Sequence, residues 1–289
     1  MQIAHTAAEM RGQLQALRGH KSIAFVPTMG CLHQGHISLI EKAKSLADIV
    51  VVSLYVNPLQ FAPSEDLEQY PRPFEADARL CADAGVDFLF HPASLYPESG
   101  CKVTLKVTTL HDCLCGTSRP DHFDGVVTAV NVLFNIVQPN IAIFGEKDWQ
   151  QLSIIRHMVN DLSMPIEIVG AAIVREPDGL AMSSRNRYLN NHERQQALAI
   201  SQALIAMQQQ AENGEHDVKA LRNTARNILE KNAITAQYIE IRNATSLEEI
   251  DTLDHHNNQN SRAFIAAHVG AARLIDNMPI HSMPQEQQP

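Results

Sequence analysis

One stretch of the sequence, residues 22–47 (SIAFVPTMGCLHQGHISLIEKAKSLA), constrains the fold more than any other. Residues 23–26 form a short apolar run before Pro27, which predicts a buried strand that opens into a loop. From His36 onward the apolar positions lie three apart, which predicts an amphipathic helix. A helix start exposes unpaired N–H groups and a partial positive charge. The loop between strand and helix is therefore predicted to bind phosphate.

Two histidines, His33 and His36, lie at this predicted helix start and allow three interpretations. A histidine can cap a helix or fill the wall of a pocket without any chemical role. A zinc site would need a third protein ligand, and no nearby Cys or carboxylate has a suitable spacing. Imidazole N–H groups can also stabilise charge that develops on a phosphate. The adjacent Gly30 and Gly35, which allow a ligand close to the backbone, favour the third interpretation.

The bulk composition indicates a globular cytoplasmic protein. The 289 residues, 45% of them hydrophobic, are enough for one large or two ordinary domains. The formal net charge of -9 argues against a nucleic-acid-binding surface, which needs clustered Lys and Arg. No run of 18 apolar residues occurs, so no membrane span is expected. The five cysteines are irregularly spaced and are expected to be reduced thiols.

Strand-like and helix-like segments alternate through the first half of the chain. Further strands are predicted at 48–56, 86–90, 140–144, 166–169 and 172–174. Helices are predicted at 6–17, where Thr6 and Glu9 form a capping-box pattern, and at 74–84, 126–137 and 149–161. This alternation predicts an α/β fold with a Rossmann-like doubly wound parallel sheet. A strand with one solvated face is expected at 103–107, and residues 114–125 are expected to form a mobile flap.

The composition becomes polar and charged near residues 175–187, which predicts a domain junction. We therefore expect a catalytic domain at residues 1–175 and a smaller α+β C-terminal lid domain at residues 176–289. Its predicted helices are 191–212 and 216–231, and its predicted strands are 236–241, 263–269 and 273–275. An exposed turn is expected at 251–261 and a disordered tail at 283–289.

Several motifs along the chain resemble those of one enzyme family. Residues 33–36, HQGH, resemble the HxGH signature of the nucleotidyltransferase superfamily. The surrounding sequence closely resembles the pantothenate synthetase family of ligases, which join pantoate to β-alanine. The motifs that carry this resemblance are PTMG (27–30), VNPLQF (56–61), LCGTSRPDHFDGV (114–126), FGEKDWQQL (144–152), REPDGLAMSSRNRYL (175–189) and RLIDN (273–277). They span nearly the whole chain in the expected order.

The resemblance implies a reaction in two steps. Joining a carboxylate to an amine in water is unfavourable, so ATP first transfers AMP to pantoate and gives a pantoyl-adenylate and pyrophosphate. β-Alanine then displaces AMP and forms pantothenate. ATP is thus an expected co-substrate, and Mg2+ is expected with it, held mostly by phosphates and water. The resemblance also implies a homodimer. The net charge and the hydropathy predict that the chain has no nucleic-acid or membrane partner.

The resemblance implies roles for particular side chains. His36 is expected to donate a proton or stabilise charge at the reacting phosphate with the help of His33, while Lys147 and Arg185 neutralise phosphate oxygens. The implied ATP-binding residues are Met29, Gly30, Cys31, Leu32, His33, Gln34, Gly35, His36, Gly145, Glu146, Lys147, Asp148, Val174, Met182, Ser183, Ser184 and Arg185. Gln60 and Gln151 match pantoate-binding glutamines. Weaker candidates are Arg119 and His122 in a closing flap and Asp77 as a magnesium ligand.

Other interpretations of these residues stay open at this point. Taken alone, Lys147 is as typical of a solvated surface, and Gln60 and Gln151 are typical of exposed loops. Arg185 has the alternative of an ordinary surface ion pair, and Cys31 is reactive only if its thiol is accessible. A plain nucleotidyltransferase would share HxGH but would release pyrophosphate without AMP, and size and acidity disfavour an aminoacyl-tRNA synthetase. A catalytically idle nucleotide sensor would tolerate losses among the residues that carry the chemistry. All of them are present: His33, His36, Lys147, Ser183, Ser184 and Arg185.

Overall fold

The computed structural model describes residues 1–63, 65–254 and 260–281, and they cluster into two compact units. The first unit comprises Met1–Asp112, Gly116–Glu146 and Ile154–Val174. The second comprises Cys113–Cys115, Lys147–Ser153 and the described residues from Arg175 onward. Division into a catalytic domain and a lid domain after residue 175 stays a prediction about function. None of the described helices is both long and apolar enough to cross a membrane.

A six-stranded parallel sheet forms the centre of the first unit. Its strands are β1 (Gln2–Ala4), β2 (Ile23–Thr28), β3 (Ile49–Leu54), β4 (Phe88–Phe90), β5 (Ile141–Gly145) and β6 (Glu167–Ala171). Their order across the sheet is β1-β4-β3-β2-β5-β6. The chain runs outward from β2 and then returns to β5 on the other side of β2, so the predicted doubly wound α/β fold is confirmed. Ligands in such sheets bind beyond the carboxyl ends of the strands where the order reverses, here β2 and β5.

Helices connect these strands. They are α1 (Ala7–Gln15), α2 (Gln34–Leu46), α3 (Phe74–Asp83), α4 (Leu114–Ser118), α5 (His122–Val137) and α6 (Trp149–Asp161). The predicted capping box of α1 is confirmed, because the Glu9 N–H donates to Thr6 Oγ1 at 3.2 Å and the Thr6 N–H donates to Glu9 Oε2 at 3.2 Å. Gly85 follows α3 with a φ of +79°, the left-handed conformation that suits a residue after a helix end.

The two faces of the parallel sheet are buried by different helices. Ala24 and Val26 of β2 pack with Ile40 of α2 in one apolar cluster. The intervening Phe25 points to the opposite face, where its ring lies 6.4 Å from that of Phe134 in α5. All residues of β2 up to Val26 are at most 1% exposed. Burial of a Phe side chain contributes about 1.5–3 kcal/mol, so burial of β2 on both faces stabilises the sheet and the start of α2.

The strand predicted at residues 103–107 is wrong, because this segment carries no strand. Its backbone groups are bonded to side chains of α5 instead of to a neighbouring strand. The Leu105 N–H donates to Thr128 Oγ1 at 3.0 Å, and the Val107 N–H donates to Asp124 Oδ1 at 2.8 Å. The alternating β-branched residues are typical of a strand, but hydrogen bonds to side chains of α5 hold this segment in another conformation.

The predicted mobile flap at residues 114–125 is also wrong, because α4 and the first turn of α5 occupy it. Phe123 is 3% exposed, so burial of an apolar side chain orders the segment. A third correction concerns the strand expected at 172–174. The preceding strand β6 ends at Ala171, which pairs with Gly145 at the end of β5, so no partner remains for residues beyond it.

The second unit packs two helices on an antiparallel sheet. The helices are α7 (Asn191–Glu212) and α8 (Val218–Lys231), and the strands are β7 (Ala236–Asn243), β8 (Ser261–Val269) and β9 (Ala272–Pro279) in the order β7-β8-β9. This architecture confirms the predicted α+β composition. In the expected turn at 251–261, Leu253 is buried and residues 255–259 lie outside the described residues, as does the predicted tail at 283–289.

Candidate active site

The turn between β2 and α2 orients two imidazole rings. His33 is the N-cap of α2, and its Nδ1 accepts the Gly35 N–H at 3.1 Å. His36 Nδ1 accepts the His33 N–H at 3.3 Å, and the ring centroids lie 4.2 Å apart. Because Nδ1 is the acceptor in both rings, the proton of each neutral imidazole resides on Nε2. The histidines therefore cap the helix, as in the first interpretation, and stabilisation of phosphate charge by their Nε2–H groups stays a prediction.

Several backbone amides of this turn have acceptors within the protein. The Gly30 N–H donates to Thr28 Oγ1 at 3.1 Å, and the Cys31 and Leu32 N–H groups donate to the two carboxylate oxygens of Asp77 at 2.7 and 2.8 Å. Binding of phosphate by this turn stays a prediction. The Cys31 side chain is fully buried, which favours an inert thiol.

Gln60 lies beside the same turn. It ends a 3-10 helix, Pro58–Gln60, that follows β3, and its Nε2 lies 3.0 Å from Met29 Sδ. Asn57, which is 2% exposed, donates from Nδ2 to Gln60 Oε1 at 3.0 Å and caps the 3-10 helix through Oδ1. The structure therefore brings the predicted substrate residue Gln60 next to the predicted nucleotide residue Met29. Sequence reasoning missed Asn57, although it lies inside the quoted motif VNPLQF.

Arg119 and His122 contact the residues around Gln60, and their role in a closing flap stays a prediction. The guanidinium of Arg119 binds Glu65 through two bonds of 2.5 and 2.8 Å, and its NH1 lies 3.0 Å from His122 Nε2. An arginine can only donate, so His122 Nε2 accepts and its Nδ1–H donates to the Gln60 carbonyl at 2.7 Å. The network therefore fixes His122 as a neutral imidazole and fixes the backbone of Gln60.

The Glu65–Arg119 ion pair makes stability depend on pH. Burial alone would raise the pKa of Glu65, but the hydrogen bond and charge of Arg119 outweigh burial and lower that pKa. A lowered carboxyl pKa stabilises the folded state above the ordinary value of 4.5, and this contribution is lost as the pH falls below it. We expect Glu65→Gln to reduce the free energy of unfolding by about 1–2 kcal/mol at pH 7 and by less at pH 4.

Urea unfolding at both pH values measures this difference, with Glu68→Gln as the control because Glu68 is an exposed acid three residues further on. An equal loss of stability in Glu65→Gln at pH 7 and at pH 4 would contradict the assigned ion pair.

In the second unit, Lys147 and Ser183 line one small internal cavity of about 10 Å³. Lys147 belongs to the short 3-10 helix Glu146–Asp148 that follows β5, and its Nζ lies 3.8 Å from Asp148 Oδ2. Ser183 is the N-cap of another 3-10 helix, Ser184–Tyr188, where its Oγ accepts the Arg185 N–H at 3.3 Å. Lys147 of the motif GEKD and Ser183 of the motif MSSR, more than 30 residues apart in the sequence, thus line the same cavity.

Two residues of the motif RLIDN support these turns. Both carboxylate oxygens of Asp276, which is 4% exposed, accept from Arg175 at 2.6 and 3.0 Å. Asn277 Nδ2 donates to the Lys147 carbonyl at 2.9 Å. Sequence reasoning quoted the motif as part of the resemblance but assigned these residues no role. Asp276 thus forms an ion pair with Arg175, and the side-chain amide of Asn277 holds the backbone of Lys147. These contacts explain why an Asp and an Asn occur at these two positions.

The remaining predicted site residues are divided between the two units. Gly145 and Glu146 are half-buried at the carboxyl end of β5, Val174 is half-buried beyond β6, and Gln34 is exposed in the first turn of α2. In the second unit, Asp148 is exposed, and Met182, Ser184 and Gln151 are half-buried. No group of three or more His, Cys, Asp or Glu side chains in the described ranges is arranged to hold a metal ion. Contact of these residues with nucleotide or pantoate stays a prediction.

The family model described as pantoate-beta-alanine ligase matches residues 2–279. The chain belongs to this family. Among curated members, the pantothenate synthetase of Pelobacter propionicus is 49% identical over 278 residues, which cover 93% of this chain and 94% of the relative. The pantothenate synthetase of Magnetococcus marinus is 47% identical over the same length and coverage. Family membership makes the chain a ligase and confirms the resemblance inferred from its motifs.

Solved structures of the family agree with this fold. The pantothenate synthetase of Thermus thermophilus matches with a TM-score of 0.91 and 40% identity, and the match covers 97% of this chain and 100% of that chain. The pantoate-beta-alanine ligase of Francisella tularensis, complexed with beta-gamma ATP and beta-alanine, matches with a TM-score of 0.80 and 35% identity over 96% and 97% of the two chains. The predicted α/β fold class of this chain is thereby confirmed.

Proposed function

We propose that this ligase activates pantoate with ATP as a pantoyl-adenylate and then transfers the pantoyl group to β-alanine. AMP and pyrophosphate are the other products. The single observation that carries the proposal is the pair of Nε2–H imidazoles at the amino end of α2, in the same turn as Met29, whose sulfur contacts Gln60. Family membership supports the substrate class, and the Francisella tularensis relative was complexed with ATP and beta-alanine ligands.

In the first step, a carboxylate oxygen of pantoate attacks the α-phosphorus of ATP. A new O–P bond forms, the bond to the bridging oxygen of pyrophosphate breaks, and negative charge grows on the phosphate oxygens. His33 and His36 donate from Nε2 to these oxygens, and the amino end of α2 adds its partial positive charge. One such donor is typically worth about 100- to 1,000-fold in rate.

Cationic and hydroxyl groups hold the rest of the triphosphate. Lys147 supplies a compact charge, and Arg185 supplies a planar fork of donors that fits phosphate oxygens. Ser183 and Ser184 add hydroxyl donors in the same turn as Arg185. The hydrogen bond from Asn277 to the Lys147 carbonyl limits the backbone freedom of that lysine, which favours a defined position for its ammonium group.

Gln60 and Gln151 bind pantoate in the proposal, because an amide can accept from a hydroxyl and donate to a carboxylate. In the second step, the amine of β-alanine attacks the acyl carbon of the adenylate. The new C–N bond forms, the C–O bond to AMP breaks, and the nitrogen loses a proton. Gln60 also lies near the incoming amine in this proposal. Exclusion of water from the adenylate favours attack by the amine over hydrolysis.

Mg2+ accompanies ATP in the proposal and neutralises part of the phosphate charge when bound. Within the described ranges no three-residue cluster suits a metal, and both oxygens of Asp77 accept backbone N–H groups. These observations fit an ion held by phosphates and water, which is the usual binding mode of Mg2+ with nucleotides. No step above depends on a protein ligand to this ion.

The proposal also covers assembly and location. Residues 1–175 form the catalytic domain and residues 176–289 the lid domain of a cytoplasmic homodimer. All five cysteines are thiols, which fits a reducing compartment. Sedimentation velocity tests the dimer, because a single species with the mass of one chain would contradict that part of the proposal.

An assay of both steps tests the function. With ATP and pantoate alone, we expect one equivalent of pyrophosphate per enzyme and no continuous AMP release. Addition of β-alanine should start continuous and equal release of AMP and pyrophosphate. Pyrophosphate release that continues without β-alanine and yields no AMP would instead indicate a plain nucleotidyltransferase. Tight ATP binding without either product would indicate a nucleotide sensor.

A further inference from the structure

Asp77 is a buried acid that the proposed reaction does not use. It lies in the first turn of α3 and is 2% exposed. Its Oδ2 accepts the Cys31 N–H at 2.7 Å, and its Oδ1 accepts the Leu32 N–H at 2.8 Å. Both bonds have the short length typical of bonds to an ionised carboxylate. A single side chain thereby binds two successive amides of the turn that carries the histidines.

The backbone of this turn has a conformation that needs support. Gly30 and Cys31 both have positive φ, +85° and +53°. Cys31 is not a glycine, so its conformation persists only because surrounding contacts hold it. The carboxylate of Asp77 provides two of these contacts, because it accepts the N–H groups of Cys31 and Leu32.

The carboxylate is connected to both imidazoles through the backbone. Leu32, whose N–H it binds, directly precedes His33. The His33 N–H in turn donates to His36 Nδ1, and the ring of His33 accepts the Gly35 N–H. A change in the orientation of the Leu32 peptide would therefore move both ring nitrogens. The direction of the two Nε2–H bonds follows from the position of the carboxylate.

The surroundings leave this contact little freedom. A Cβ built on Gly30 would lie 3.0 Å from Asp77 Oδ2, so the loop and the carboxylate are in close contact. On the same helix, burial raises the pKa of the Cys81 thiol to about 12, and the charge of Asp77 acts in the same direction. The thiol is consequently neutral and does not compete with the carboxylate for the two amides.

We propose that Asp77 is a positioning residue that orients His33 and His36 toward the reacting phosphate. Both carboxylate oxygens already accept backbone amides in the interior of the protein, which favours a positioning role over a role as a magnesium ligand. The inference rests on the proposed function only in assigning the imidazoles to ATP. The positioning of the two rings by the carboxylate concerns the protein without ligand and does not depend on the proposed function.

The first test replaces Asp77 with Asn, which keeps the shape but turns an NH2 group toward one of the amides. We expect kcat for pantoate-dependent pyrophosphate release to fall about 10- to 100-fold, with KM for ATP within about threefold of the wild type. The matched control is Glu75→Gln, which removes an exposed acid from the same helix turn and should leave kcat unchanged. An unchanged kcat in Asp77→Asn overturns the proposal.

A titration with Mg2+ separates positioning from metal binding. A positioning residue leaves the half-saturating Mg2+ concentration within about twofold of the wild type, because the ion is held elsewhere. A rise of about tenfold or more in Asp77→Asn, with the rate restored by excess Mg2+, would identify a metal ligand and overturn the proposal.

Nitrogen NMR of the imidazoles tests the inference without turnover. In the wild type, we expect His33 and His36 to give signals of the Nε2-protonated tautomer. Asp77→Asn should shift or broaden both signals, whereas Glu75→Gln should not. Unchanged signals in Asp77→Asn overturn the inference. If the wild type shows no pantoate-dependent pyrophosphate release, the proposed function fails, and these spectra still decide whether the carboxylate positions the rings.

Hydrogen exchange keeps the test valid if Asp77→Asn does not fold. In the wild-type protein, the Cys31 and Leu32 amides should exchange about 100-fold or more slowly than exposed loop amides, because they donate to a buried carboxylate. Exchange as fast as at an exposed loop would overturn the inference.

Discussion

Replacement of His36 with Asn is expected to lower kcat for pantoate-dependent pyrophosphate release by about 100- to 1,000-fold, with KM for ATP changed by less than about threefold. An Asn oxygen at this position can still accept the His33 N–H, as His36 Nδ1 does at 3.3 Å, so the helix start is retained. The donor at Nε2 is lost. Because charge on the phosphate oxygens grows only in the transition state, the missing donor acts on kcat more than on binding. Single-turnover measurement of pyrophosphate release gives the rate directly.

A second substitution at the same position sharpens this test. His36→Gln has a side chain long enough to place an NH2 donor close to the former position of Nε2, so it should retain more activity than His36→Asn. His157→Ala serves as the control, because His157 is exposed on α6 and should leave the rate unchanged. Equal activity in His36→Asn and the wild type would show that this imidazole does not contribute to the reaction. Equal losses of activity in the Asn and Gln variants would indicate that the imidazole has a role other than hydrogen-bond donation to the phosphate.

Gly125→Ala is expected to destabilise the protein by about 2–4 kcal/mol and to raise KM for pantoate. A Cβ at this position would lie 2.1 Å from the Leu59 carbonyl oxygen and 2.7 Å from the Gln60 nitrogen. Both are backbone atoms, so the clash cannot be relieved by a rotamer change. Either α5 or the 3-10 helix Pro58–Gln60 must move. Because Asn57 donates to the Gly125 carbonyl at 3.0 Å, movement also disturbs the residue that orients the Gln60 amide.

Thermal or urea unfolding measures the first effect, and pantoate saturation of pyrophosphate release measures the second. Gly12→Ala is a suitable control, because Gly12 lies within α1 and a Cβ there would meet no atom within 4 Å. This substitution should stabilise the protein by about 0.5–1 kcal/mol through helix propensity. Wild-type stability and wild-type KM for pantoate in Gly125→Ala would show that the close approach of α5 to the 3-10 helix is not required.

These predictions concern one feature of the first unit, namely that its candidate site residues are held by buried polar contacts. Asn57 and His122 fix Gln60, and Asp77 fixes the turn before His33. Each of these three supporting residues is at most 8% exposed. A buried polar group that loses its partner costs more than the partner's own bond contributes. Conservative substitutions of Asn57 or His122 should therefore affect stability and pantoate affinity together, whereas Asp77→Asn should act mainly on kcat.

The local features of the chain were determined by the sequence alone. The change from a β-branched apolar run to a helical period predicted β2, the following turn and α2. Thr6 and Glu9 predicted the start of α1, and alternation of strands and helices predicted the doubly wound sheet. These features depend on residues a few positions apart, whose geometry follows from the backbone period and from helix capping. Motif resemblance, which also compares residues in sequence order, predicted the family.

Only the tertiary structure decided which side chains hold the candidate site. Asp77 and Cys31 are 46 positions apart, Glu65 and Arg119 are 54 apart, and Arg175 and Asp276 are 101 apart. The same contacts between distant segments overturned the strand predicted at 103–107, because α5 supplied its hydrogen-bond acceptors. No local pattern marks such a pair, since the partner is selected by how strands and helices pack. A backbone N–H or a buried charge must find a partner, but its identity is set by the folded chain.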